Sequence, residues 1–172
     1  GVDSLLGSDG NDTLVGDQTD SLISGGNGND TLQIGANFND ASDAQITGVE
    51  NVALTVTGLT VNLGDQTEAL NITGFAAGAS TITGGSGSDS ITGGSGNDVL
   101  TGGSGADTIN AGAGVDTVNI DANGVGPIDA DRINLGGDKG DNIVFSNVDK
   151  ANEILVGFVS ANVGNGSSTG VV

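Results

Sequence analysis

Asp12, Asp30, Asp89, Asp98, Asp107 and Asp116 share one setting, the sixth place of a nine-residue unit G-G-x-G-x-D-x-U-x in which U is a large apolar residue. Four units run without a break from 84 to 119: GGSGSDSIT, GGSGNDVLT, GGSGADTIN and AGAGVDTVN. Two more, GSDGNDTLV at 7–15 and GGNGNDTLQ at 25–33, flank GDQTDSLIS at 16–24, whose Asp20 falls one residue early. Of the 22 acids in the chain 19 are Asp, the residue favoured where a short carboxylate must sit in a turn or reach a cation beside the backbone. With neither His nor Cys in the sequence, carboxylates and glycine-turn carbonyls form an all-oxygen donor set. That set suits Ca²⁺, which accepts flexible oxygen coordination, over Zn²⁺, copper or the tightly hydrated Mg²⁺.

The unit divides into a six-residue turn and a three-residue strand, x-U-x, with U facing inward and its neighbours outward. The eighth position holds Leu5, Leu14, Leu32, Ile91, Leu100, Ile109 and Val118, a strand pattern too regular for a glycine-rich linker. One turn and one strand make half a coil, so residues 18 apart stack: Asp12 over Asp30, Asp89 over Asp107, Asp98 over Asp116. Stacked strands lie roughly 4.8 Å apart. Like charges at that spacing cost about 3 kcal/mol per contact at an effective dielectric near 20, and a cation between them removes the cost. The expected fold is therefore an all-β solenoid held by metal.

Composition narrows function. The net charge of −19, with only Arg132, Lys139 and Lys150 basic, leaves nothing to neutralise phosphates and excludes nucleic acid as a partner. It also disfavours anionic lipid without a bridging cation. No apolar run of about 18 residues predicts a transmembrane segment. Four Phe and no Trp, Tyr or Met point to thin stacked layers of Val, Ile, Leu and Ala. No Ser-His pair, thiol or phosphate-binding loop is present, so no enzyme is expected in this span. Acid-only catalysis is less apt than metal binding for the paired carboxylates.

Four segments are expected. Residues 1–33 form a first repeat block and 34–83 β-rich, metal-poor coils or a small sheet, with runs such as 49–56, 59–63 and 70–73. Residues 84–119 form the second block, and 120–172 degenerate repeats, a cap and a tail. The tail 162–169 reads as a linker, and a start inside a repeat implies a piece of something longer. Asp40, Asp43, Asp65 and Asp149 read as ordinary loop acids.

The units GGSGNDVLT, GGSGADTIN and GGNGNDTLQ resemble the RTX (repeats-in-toxin) calcium-binding nonapeptide. The resemblance implies a right-handed parallel β-roll with several Ca²⁺ ions between adjacent turns. It also implies type I secretion and a chain that stays unfolded until it meets extracellular calcium. Asp12, Asp30, Asp89, Asp98, Asp107 and Asp116 match the family's ligand position, and Asp3, Asp20, Asp131 and Asp141 are further metal candidates, Asp20 one residue short of the family's spacing. Carbonyls at the first and third positions are the implied co-ligands: Gly7, Asp9, Gly25, Asn27, Gly84, Ser86, Gly93, Ser95, Gly102, Ser104, Ala111 and Ala113.

A fainter resemblance joins 46–56 and 70–74 to the Val/Thr-rich stretches before RTX repeats in bacterial surface-layer proteins. It implies an extracellular structural protein at a bacterial cell surface, self-associating into a layer or filament when calcium binds. The alternative is a calcium-stiffened segment of a large adhesin, toxin or hydrolase whose active domain lies elsewhere. A flat Thr array for ice binding is disfavoured by the irregular seventh position. Anchoring to surface glycan or lipid would need another region.

Overall fold

The computed structural model describes residues 2–40, 42–121 and 131–146. The insertion around Pro127 and all residues from 147, part of the stretch expected to hold degenerate repeats, a cap and a linker tail and including Asp149, lie outside the described residues. The first half of the chain supplies β1 (Ser4–Asp9), β2 (Thr13–Gly16), β3 (Leu22–Asn27), β4 (Thr31–Ile34), β5 (Phe38–Asn39), β6 (Ile46–Thr47), β7 (Asn51–Leu54) and β8 (Leu59–Asn62). The second half adds β9 (Asn71–Thr73), β10 (Ser80–Thr83), β11 (Ser90–Gly94), β12 (Val99–Thr101), β13 (Thr108–Gly112), β14 (Thr117–Asp121), β15 (Arg132–Asn134) and β16 (Asn142–Ser146).

Every strand pairing is parallel, and the chain winds as a β-solenoid of about six turns with no helix among the described residues. One wall is a single seven-stranded sheet, β2-β4-β7-β9-β11-β13-β15. The facing strands divide into β1-β3-β6 and β5-β8-β10-β12-β14-β16. The coil from β4 to β7 visits both facing sheets, through β5 and then β6, and this is where one gives way to the other.

Register shows the inward residue as the unit of stacking. Leu14, Leu32, Val52, Ile72, Ile91, Ile109 and Ile133 pair in series down the long wall. Phe38, Val61, Ile82, Leu100, Val118 and Ile143 do so opposite. Leu32, Val61, Ile72, Ile82, Leu100 and Val118 have no solvent exposure. Each such side chain contributes about 1.5–3 kcal/mol of burial. Residues 34–83 therefore continue the stack as coils.

The repeat blocks keep an 18-residue register, as in Leu14↔Leu32 and Leu100↔Val118. Elsewhere the step lengthens: Leu32↔Val52 spans 20 residues, Phe38↔Val61 23 and Val118↔Ile143 25. Extra residues are absorbed in the turns, while the inward column is preserved.

The second position of a unit turns left-handed in Gly26, Gly94, Gly103 and Gly112. In the unit at 7–15 that place belongs to Ser8, whose φ of 86° makes it the one non-glycine with positive φ among the described residues. A side chain there carries left-handed strain of about 1–2 kcal/mol, offset in part by the flexibility glycine adds to the unfolded chain. Ser8→Gly is thus expected to stabilise the calcium-bound fold by about 0.5–1 kcal/mol. A thermal midpoint that falls in S8G would contradict it.

Candidate metal centre

Two columns of acids run along the solenoid, one on each edge where the chain turns between walls. On the edge leading into the long wall, the backbone N–H of Asp12 donates to Asp30 Oδ1 at 2.7 Å, that of Asp89 to Asp107 Oδ1 at 2.8 Å, and that of Asp107 to Asp131 Oδ1 at 2.9 Å. On the opposite edge Ser80 N–H donates to Asp98 Oδ1 at 2.6 Å, Asp98 N–H to Asp116 Oδ1 at 2.9 Å, and Asp116 N–H to Asp141 Oδ1 at 3.0 Å. One oxygen of each carboxylate is thereby fixed by the coil before it.

The other oxygen points inward. The Oδ2 atoms of Asp12, Asp30, Asp98 and Asp116 are buried with no hydrogen-bond partner. Asp30, Asp98 and Asp116 have no exposure at all. Orphaned buried carboxylate oxygens are costly, because desolvation penalises the charge with nothing in return. Asp89 differs: its Oδ2 accepts the Gly85 N–H at 2.9 Å.

The first glycine of each unit explains where these oxygens aim. A methyl placed on Gly7 would meet both Asp12 Oδ2 and the Gly25 carbonyl oxygen at under 3.0 Å. The same pairing recurs at Gly84, between Asp89 Oδ2 and the Gly102 carbonyl, and at Gly93, between Asp98 Oδ2 and the Ala111 carbonyl. These three units thus present a bare Cα against which the unit's own carboxylate and the next coil's first-position carbonyl converge. Two oxygens facing one cradle repel each other unless a cation lies between them.

The donor set fits calcium. Among the described residues no three acidic side chains converge, so each ion would take most of its roughly six to eight oxygens from carbonyls and water. Bound calcium supplies the charge that lets stacked carboxylates coexist. The aspartates and first-position carbonyls fix where that charge sits.

Burial acts on the carboxyls directly. Desolvation pushes Asp98 up to about 6, against the N–H bond from Ser80, which favours the charged form. Desolvation also raises Asp89, opposed by the N–H groups of Gly85 and Leu70, and Asp116, opposed by the Asp98 N–H.

The first-position candidates Gly25, Gly102 and Ala111 offer their carbonyls to a cradle, and Gly7, Gly84, Gly93 and Gly102 line one. Ala111 is itself fully buried, so a methyl stands in its unit where the others leave glycine. The third-position candidates Asp9, Asn27, Ser86, Ser95, Ser104 and Ala113 lie exposed on the outer turns. There Asn27 Nδ2 donates to Asp9 Oδ1 at 2.9 Å and Ser95 Oγ to the Ala76 carbonyl at 2.6 Å. Asp131 and Asp141 join the columns despite their broken spacing.

Asp20 stands apart from them. Asp20 is buried, but its Oδ2 accepts the Asp17 N–H of its own turn at 2.8 Å. The side of Gly16 in that unit faces Ile23 and Leu32 methyls in place of a carbonyl. Asp3 is exposed at the first coil, where its carbonyl accepts the Ser21 N–H at 2.8 Å.

Glu50 escaped the sequence reading. Its Oε2 accepts the Asp30 N–H at 2.7 Å, continuing the acid column into a coil with no nonapeptide. The acid-x-apolar triplet Glu50-Asn51-Val52 was the available signal. Asp40 also differs from the loop acid expected: it is 3 % exposed and accepts the Gln66 Nε2–H at 2.9 Å.

Turns that repeat one inward carboxylate and one convergent carbonyl, stacked on a parallel β-solenoid, define a cation-binding repeat protein. Residues 1–39 and 83–118 match the family model of the RTX calcium-binding nonapeptide repeat, in four copies. These spans are RTX repeats, a structural repeat that binds calcium and belongs to secreted bacterial proteins. Comparison with curated proteins and with solved structures returns no match. No helix among the described residues is long and apolar enough to cross a membrane.

Proposed function

We propose that this chain is an extracellular, non-catalytic structural segment that folds on binding several calcium ions and then self-associates into a layer or filament. The observation that carries the calcium-dependent step is the series of buried, unpartnered Oδ2 atoms on Asp12, Asp30, Asp98 and Asp116. Such a fold is disfavoured where calcium is scarce and favoured where it is plentiful, which suits export as an unfolded chain, as in type I secretion, and rigidification outside.

Association has support in apolar side chains that the coils turn outward, Val56, Val99 and Val115, at 42 %, 37 % and 45 % exposure.

Negative-stain electron microscopy with and without calcium tests the reading. Ordered sheets or filaments that appear with calcium and dissolve in chelator are the expected result. Chains that fold with calcium yet stay monomeric at high concentration would replace it with the alternative, a stiffening segment of a larger exported protein.

A further inference from the structure

The family match ends at residue 39 and resumes at 83, yet the acid column on the long-wall edge does not end with the first block. After Asp12 and Asp30 the place is taken by Glu50, then by Leu70, and the acids return at Asp89. Among the described residues Leu70 is the only gap: its N–H reaches forward to Asp89 Oδ1 at 2.8 Å, and it offers no carboxylate. The column thus has an acid where the repeat motif does not require one.

We infer that Asp30, Glu50 and the Gly48 carbonyl form a further calcium site, half of it outside the nonapeptide repeats; the inference rests on the calcium reading above. Asp30 Oδ2 is fully buried and has no hydrogen-bond partner. A methyl on Gly25 would meet that oxygen at 2.5 Å and would also run into the Gly48 carbonyl oxygen, the same cradle that Gly7 and Gly93 present between true repeats. Gly48 sits at φ 58°, a left-handed turn that suits glycine and carries its carbonyl toward Gly25. The Asp30 backbone carbonyl is already engaged by the N–H and Nδ2–H groups of Asn51, both at 3.0 Å. The carboxylates are what remain to hold an ion.

The location gives the site a role. It lies on the coil between β4 and β7, where the facing wall passes from β1-β3-β6 to the sheet that begins at β5. An ion shared by Asp30 and Glu50 fastens the first repeat block to the coils that lack repeats. The fold then crosses the changeover as one calcium-dependent stack.

Calcium uptake by the whole chain, measured by equilibrium dialysis and by calorimetric titration, tests this. Glu50→Gln keeps an oxygen to accept the Asp30 N–H and removes the charge. Gly25→Ala fills the cradle at a glycine without positive φ. Glu68→Gln, at an exposed turn residue, controls for net charge. The expected result is one fewer tightly bound ion, or one site weakened at least tenfold, in E50Q and G25A but not in E68Q, with far-UV circular dichroism in saturating calcium unchanged for E50Q. Equal uptake by E50Q and E68Q overturns this site alone. A parent chain that takes up no calcium overturns the calcium reading and this site with it.

Discussion

In excess chelator the chain is expected to lose its β signal in far-UV circular dichroism, and to regain it with calcium but not with equimolar magnesium. The core alone is thin, one or two inward apolar side chains per strand, and against it stand a net charge of −19 and buried carboxylate oxygens with no protein partner. A ligand that binds only the folded state stabilises it by about 4 kcal/mol per site at a thousandfold excess over Kd. Several such sites together are comparable to the roughly 5–15 kcal/mol by which domains are usually stable. Cooperation passes only between neighbouring coils in a solenoid, so losing the ions uncouples the array coil by coil. The middle coils have their own side-chain ties, Asn62 Nδ2 to Asn39 Oδ1 at 2.7 Å and Gln66 Nε2 to Asp40 Oδ2 at 2.9 Å. Any residual protection from hydrogen exchange in chelator should therefore map to residues 51–83. Full β signal in excess chelator would remove the basis for calcium-dependent folding.

Those middle coils also mark what the sequence could and could not disclose. The nonapeptide made the columns legible, because a sixth-position acid and an eighth-position aliphatic recur at fixed spacing and 18 residues return to the same edge. Asp98 over Asp116 and Leu100 over Val118 follow from counting alone. Between 34 and 83 counting fails, since the step varies from 19 residues at Ile72↔Ile91 to 23 at Phe38↔Val61. Turn length is free to drift there because packing fixes only the inward residue. Asp20 shows the converse: one residue of displacement turned its carboxylate onto its own turn. Glu50 and Ser80 hold column positions that depend on which coil lies next to which, and spacing did not reveal that. Ser80 is buried in the place of an aspartate, with its Oγ accepting the Phe75 N–H at 3.1 Å. A neutral hydroxyl thus closes the column on that edge where Glu50 extends it on the other.

Protons and calcium should compete for the same carboxylates, with opposite effects on the fold in the two conditions. Burial raises Asp98 from an ordinary 3.8 to about 6, and Asp89 and Asp116 move in the same direction. Without calcium, a carboxyl whose folded-state value is raised contributes stability that is fully present below about 3.8 and is lost as pH rises through about 6. The apo chain should therefore hold more β structure at pH 4.5 than at pH 7.5. With calcium the sign reverses, because the ion requires the ionised form. Taking the folded value of about 6, the ionised fraction at Asp98 falls roughly tenfold between pH 7 and pH 5, and the affinity of its site should fall with it. Calcium titrations of circular dichroism at a series of pH values read both trends at once: the midpoint should climb steeply below pH 6 while the calcium-free baseline gains β signal. A midpoint that stays constant from pH 7 to pH 5 would mean that Asp98 does not hold the ion. Asp98→Asn separates the two effects, since it keeps an acceptor for the Ser80 N–H and removes the proton-binding group. In that variant the apo baseline should lose part of its pH dependence, and the calcium midpoint should stand higher at pH 7.5 than in the parent chain. The carboxylate that would destabilise the calcium-free fold at neutral pH is thus the one that would hold the ion.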